Sequence, residues 1–151
     1  MDIEKRRSRL MQLGVAPSEM YIFPTRDHDR KLLIVKRTGI EKLEKIYKIR
    51  YKYISVTEST YKDGCNVTVI LQGETDEHSP MQALGSANPD TTSVPFISDM
   101  ANKRARHKIV LKIADLYQYD VHSEDESESF EPPKKFDSSD AVNEAMKKIS
   151  L

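Results

Sequence analysis

Between Tyr47 and Gln72 the chain alternates with period two on both sides of one turn, and that pattern fits a β-hairpin. Ile49, Tyr51 and Tyr53 alternate with Lys48, Arg50 and Lys52. The apolar parity then slips by one residue, to Ile54 and Val56, as a β-bulge requires. Lys62-Asp63-Gly64 reads as the turn. Cys65–Gln72 reads as the returning strand, with Val67, Val69 and Leu71 on one face. The first strand is expected over 47–61.

The flanking elements follow from pattern and punctuation. Residues 2–13 form a short basic helix carrying Ile3, Leu10 and Leu13, and Gly14 stops it. The apolar run Leu32-Leu33-Ile34-Val35 suits a strand or a buried helical segment. Thr38 is placed to cap a helix over 39–47. Met81–Ala87 reads as a third strand, whose Gly85 and Ser86 leave room for a close approach by backbone or ligand. A long helix over 96–118 carries the stripe Ala101, Ala105, Ile109, Ile113 and Leu116, while Lys103, Arg104, His107 and Lys108 fall mainly outside it. The expected class is α+β: a helix, a three-stranded antiparallel sheet made of the hairpin plus a third strand, and a long basic helix, in a β-β-β-α core. Residues 1–122 form a single domain. Residues 123–151 form an acidic, largely disordered tail with a short helix at 140–150, because a Ser/Glu/Asp-rich stretch cannot bury enough apolar surface to order itself.

The charge is neutral only in sum: Lys plus Arg and Asp plus Glu number 24 each. Eight acids against four bases leave 123–151 at −4, and residues 1–122 at +4. From Arg30 to Lys62, ten bases face three acids. A basic body with an acidic tail points to an anionic partner. No run approaches the length of a transmembrane helix, and the N-terminus lacks a signal-peptide apolar core. A single Cys, Cys65, provides neither a disulfide nor a thiolate cage, so a cytoplasmic protein with a reduced, buried thiol is expected.

Nothing in the sequence assembles a catalytic centre. Five isolated glycines build neither a phosphate loop nor a dinucleotide fingerprint. His28, His78, His107 and His122 show no metal spacing. Asp27-His28-Asp29 reads as a solvated loop, and Glu74, Asp76, Glu77 and His78 lack the second carboxylate cluster that a metal nuclease needs. No enzyme, metal or cofactor is expected.

Two basic sets remain. Lys48, Arg50 and Lys52 would project from one strand face at about 6.6–6.8 Å intervals, a repeat suited to tracking a phosphate backbone. Lys103, Arg104, Arg106 and Lys108 open the long helix. Tyr47, Tyr51, Tyr53 and Tyr61 cluster in the hairpin, but Tyr51 and Tyr53 lie opposite the lysines, which favours core packing over base stacking.

The stretch Gly85-Ser86-Ala87-Asn88-Pro89-Asp90-Thr91-Thr92-Ser93 leads into Met100-Ala101-Asn102-Lys103-Arg104-Ala105-Arg106-His107-Lys108-Ile109-Val110-Leu111-Lys112. The chain then continues through Tyr119-Asp120-Val121-His122-Ser123-Glu124-Asp125-Glu126-Ser127. With the element order, this resembles the phage and prophage single-strand annealing proteins of homologous recombination, the superfamily of the Rad fifty-two, Erf, Redβ and RecT types. The resemblance covers about residues 39–130. It implies single-stranded DNA held by its backbone in a basic groove lined by Lys48, Arg50, Lys52, Lys103, Arg104, Arg106 and Lys108, without covalent chemistry. It also implies homo-oligomeric rings or filaments. The acidic tail would occupy the groove in the absence of DNA, or recruit a single-strand-binding protein or exonuclease. Two other readings fit the residues: a double-stranded nucleic-acid-binding module and a non-enzymatic protein adaptor.

Overall fold

The structure, a computed structural model, describes residues 2–25 and 30–127. The expected helix at 140–150, most of the acidic tail and Asp27-His28-Asp29 lie outside the described residues.

The fold is α+β, with two three-stranded sheets where one was expected. Helix α1 (Ile3–Gln12) is capped by Asp2, whose carboxylate accepts from the Lys5 N–H at 2.9 Å. Strand β1 (Met20–Pro24) pairs antiparallel with β2 (Lys31–Val35), so the Leu32–Val35 run is a strand. Helix α2 (Arg37–Tyr47) leads to β3 (Arg50–Tyr61), β4 (Gly64–Glu74) and β5 (Met81–Ala87), an antiparallel sheet in the order β3-β4-β5. Helix α3 (Ile97–Ile113) follows. Strand β6 (Val121–Ser123) then lies parallel to β2, completing the sheet β1-β2-β6, and α4 (Glu124–Ser127) ends the described chain. Three residues of β6 are too few to show an alternation, so the sequence gives this sheet no signal.

Helix ends explain the remaining differences. All three long helices close with the same turn, in which two N–H groups return to carbonyls of the last helical turn around a left-handed residue. At α1 that residue is Gly14, with φ 105°. At α2 it is Lys48 (φ 53°), with Ile49 N donating to Glu44 O. At α3 it is Asp115 (φ 56°), with Leu116 N donating to Leu111 O. A glycine stop is legible in sequence, and a lysine or aspartate stop is not. This is why β3 begins at Arg50 rather than 47, and why α3 ends at Ile113 rather than 118. Thr38 does not cap α2: the N-cap is Lys36, and the Glu124 carboxylate accepts from the Arg37 N–H at 3.3 Å.

The hairpin matches its sequence pattern. β3 pairs with β4 from Arg50↔Glu74 to Tyr61↔Gly64, with the register shift between Tyr53 and Ser55. Val67, Val69 and Leu71 are buried against Ala101, Ala105, Ile109 and Ile113 of α3. A second core joins β2, α1 and α2 through Leu10, Leu33, Val35, Ile40 and Leu43, and there α3 contributes Val110 and Leu111, with Ala114 just after it. One helix therefore serves both cores. No helix of the described residues is long and apolar enough to cross a membrane.

The expected disorder from residue 123 onward does not hold for 123–127. Ser123 is buried in β6, and Asp125 and Glu126 turn inward to His107, Lys103, His122 and Tyr117. Polar pairing orders this segment, which an argument from apolar burial alone misses.

α3 approaches β5 at Gly85. A Cβ there would sit 2.2 Å from Ala101 O and 2.4 Å from Ala105 N, both backbone atoms that cannot swing aside. Gly85→Ala is expected to destabilise the protein by about 1–3 kcal/mol, the range for overpacking a core. A urea midpoint unchanged from wild type would refute that contact.

Candidate nucleic-acid interface

β5 is an edge strand, and an edge leaves alternate carbonyls without strand partners. α3 supplies them. Arg104 Nη1 donates to Ser86 O at 2.7 Å, Lys108 Nζ to Leu84 O at 2.8 Å and Lys112 Nζ to Gln82 O at 2.7 Å. Four helical residues rise about 6 Å and two strand residues about 6.8 Å, so the two repeats nearly match over this length. The acceptors are neutral. Among the described residues neither Lys108 nor Lys112 has a carboxylate at ion-pair distance, so both keep their charge at the edge. Arg104 also donates to Thr91 Oγ1 at 3.2 Å. The three cations form a rail along β5.

The rail borders an open sheet face. α3 covers one side of β3-β4-β5, and the register assigns the other. Its rows are Lys52, Gln72 and Gln82; Ser55, Ile70 and Leu84; Thr57, Thr68 and Ser86; and Ser59 with Asn66. A further row, Arg50 with Glu74, closes the end of the face and carries its acid, 3.9 Å from Arg50. Lys52, Thr57, Gln82, Leu84 and Ser86 are exposed. Gln82 Nε2 donates to Gln72 Oε1 at 3.1 Å across the face.

The seven residues singled out from sequence do not share one groove. Lys48 caps α2 and lies outside the strand. Arg50 faces Asp76 at 3.0 Å and Glu74 at 3.9 Å. Lys52 stands on the open face. Lys103 pairs with Asp125 at 3.2 Å. Arg106 pairs with Glu44 and lies over the Tyr51 ring, 5.2 Å from its centre. Only Arg104 and Lys108 join the rail. Lys112, its third member, was missed, although it continues the same four-residue spacing.

The tyrosines divide. Tyr51 is half-buried, and burial, then Glu44, pushes its hydroxyl well above the ordinary value. Tyr53 is not a core residue: it is 58% exposed, with its hydroxyl donating to Asn102 Oδ1 at 3.1 Å, because α3 covers β4 and β5 but leaves β3 projecting. Cys65 is half-buried rather than buried, and a hydrogen bond with Glu58 raises its thiol. In the 74–78 loop, Asp76 reaches Arg50 and His78 Nδ1 lies 3.0 Å from Thr75 Oγ1. Among the described residues no three His, Cys, Asp or Glu side chains converge as a metal site.

On the far flank of α3, the acidic segment is clasped. His107 Nδ1 lies 2.7 Å from Asp125 Oδ2, both side chains being under a tenth exposed, though neither atom makes an aligned hydrogen bond. Burial raises the Asp125 carboxyl, but His107 and then Lys103 outweigh it and leave it below its ordinary value. Glu126 likewise resists burial through His122, Tyr117 and the Ser123 N–H, and is lowered. Burial, then Glu126, pushes the Tyr117 hydroxyl far above its ordinary value.

Neither a scan against protein-family models nor a search of curated proteins finds a match for this chain.

A carboxylate depressed on folding stabilises the protein above its unfolded pKa, and that contribution fades as pH falls through the folded value. Stability is therefore expected to drop below about pH 4, near the unfolded values of these carboxyls. Asp125→Asn should cost about 1–3 kcal/mol at pH 7, as when one member of a buried polar pair is removed and the other is left unsatisfied, and flatten the acid limb. Denaturant midpoints between pH 3 and 7 test both. An unchanged midpoint at pH 7 would show that the clasp contributes nothing.

Proposed function

We propose that this chain binds single-stranded nucleic acid, with its phosphates along the Arg104-Lys108-Lys112 rail and its bases over the open face of β3-β4-β5. One observation carries the reading: an uncovered sheet face, whose one acidic residue Glu74 lies at its end beside Arg50, is bordered by Lys108 and Lys112, whose acceptors along β5 are neutral. A phosphate oxygen attracts Lys108 or Lys112 without first displacing a carboxylate of the described residues. The face itself is built for sequence-tolerant contact. Ser, Thr, Asn and Gln offer donors and acceptors, and Ile70 and Leu84 offer apolar surface.

The shape favours a single strand over a duplex. Three strands span about 10 Å between outer strands, and the face presents no protruding helix to enter a groove. α3, the basic helix, lies beneath the sheet and reaches outward only through side chains. With the backbone on the rail, base edges remain available to a complementary strand, which is all that annealing requires. This agrees with the resemblance of Gly85–Lys112 and Tyr119–Ser127 to the phage-type annealing proteins. Single-stranded DNA, homo-oligomeric assembly and recruitment of a single-strand-binding protein or exonuclease through the tail belong to the same proposal.

The test is fluorescence anisotropy of a labelled oligonucleotide, single-stranded and duplex, at several salt concentrations. Lys108→Gln/Lys112→Gln keeps donors for the β5 carbonyls and removes both charges. Wild type is expected to prefer the single strand. The variant should bind at least tenfold more weakly at low salt, with a log–log salt slope shallower by about 1.4, at about 0.7 per phosphate contact. Preference for duplex would favour the double-stranded-binding reading. Absence of binding at low salt would leave the adaptor reading.

A further inference from the structure

Two neighbouring rows of the open face carry more pattern than the rest. Across β4 and β5, Gln82 Nε2 donates to Gln72 Oε1 at 3.1 Å. Each amide keeps its other group turned away from that bond. Gln72 Nε2 remains a donor and Gln82 Oε1 an acceptor, and neither has a partner among the described residues. Two residues along the same strands, Ile70 is paired with Leu84 in the register. Ile70 is half-buried and Leu84 is 47% exposed, so the pair forms a small apolar patch beside the amides. Strand geometry sets the rows about 6.8 Å apart. Gln82 and Leu84 also supply the backbone carbonyls to which Lys112 and Lys108 donate. The charges suited to a phosphate therefore stand beside these same two rows.

We infer that the two rows take a thymine base, so that the strand this surface prefers is thymine-rich single-stranded DNA. The inference rests on the nucleic-acid reading of the rail and face. Along one edge, thymine carries an acceptor, O4, between an apolar group, the C5-methyl, and a donor, the N3–H. Set over β4 and β5, O4 accepts from Gln72 Nε2 and the N3–H donates to Gln82 Oε1. The methyl beside O4 then falls toward Ile70, the neighbour of Gln72 on the same strand and face, and Leu84 completes the apolar patch. The other pyrimidines each lack a part. Uracil has the same edge without the methyl. Cytosine reverses the edge, with an amino donor in place of O4 and a bare ring acceptor in place of the N3–H. It therefore sets donor against donor and acceptor against acceptor. The methyl also separates DNA from RNA without any contact to the sugar.

The test is anisotropy of the full chain with oligo-dT, oligo-dU and oligo-dC of one length at low salt. Wild type is compared with Gln72→Met/Gln82→Met and with Leu84→Thr. All three probes are pyrimidine strands on one deoxyribose backbone, so phosphate contacts and purine stacking drop out of the comparison. Ratios are taken within one protein, so a general loss of affinity does not enter them. Wild type is expected to bind oligo-dT at least about fivefold more tightly than oligo-dC, the low end for a bidentate base contact. It should bind oligo-dT about two- to fourfold more tightly than oligo-dU, the range for a methyl group partly or wholly removed from water. Gln72→Met/Gln82→Met should bind oligo-dU and oligo-dC alike, and Leu84→Thr should bind oligo-dT and oligo-dU alike. Equal affinities of wild type for all three probes would overturn the inference and leave the strand-binding reading standing. A preference that survives in the variant meant to erase it overturns the assignment of that row. If no probe binds wild type, the strand-binding reading falls, and the inference with it.

Discussion

The close approach of α3 to β5 at Gly85 sets the geometry of everything around it. With no Cβ at 85, the backbone at Ala101 and Ala105 settles against the strand, and side chains one turn apart fall opposite alternate carbonyls of the edge. A larger residue would lift the helix, and Arg104, Lys108 and Lys112 would no longer reach Ser86, Leu84 and Gln82. The arrangement closes a sheet edge against unwanted strand pairing. It also holds three cations in a row at the border of an open face.

α3 also ties the two sheets together. Ala101, Ala105, Ile109 and Ile113 face β3-β4-β5, while Val110 and Leu111 face the core of β2, α1 and α2. The acidic segment after β6 fastens to what remains of its surface. Glu124 accepts from the N-terminus of α2, and Asp125 holds His107 and Lys103. A stretch that reads as a solvated tail is therefore, in its first residues, a polar clasp between α2 and α3.

Cations of one helix consequently have unlike fates. Arg106 is fixed by Glu44 and the face of Tyr51, and Lys103 by Asp125, so their charges hold the fold together. Among the described residues, Lys108 and Lys112 meet only neutral oxygens at the strand edge. A ligand can recruit them without breaking an ion pair, and this difference, rather than the number of basic residues, marks the candidate interface.

The hairpin, its bulge between Tyr53 and Ser55, the third strand and the buried stripe of α3 were legible in the sequence, because they depend on local periodicity and turn chemistry. The room left by Gly85 was legible too, since a small residue in a strand signals a close approach. The parallel pairing of β6 with β2 was not, because three residues carry no period and their partner lies some 90 residues away. Nor were the helix ends at Lys48 and Asp115, where residues other than glycine take the left-handed turn. The sequence by itself determined which segments alternate, which faces are apolar and where basic residues concentrate. Tertiary structure alone decided which of those charges are paired, since an ion pair depends on which side chains meet across elements, and spacing along one chain does not encode that.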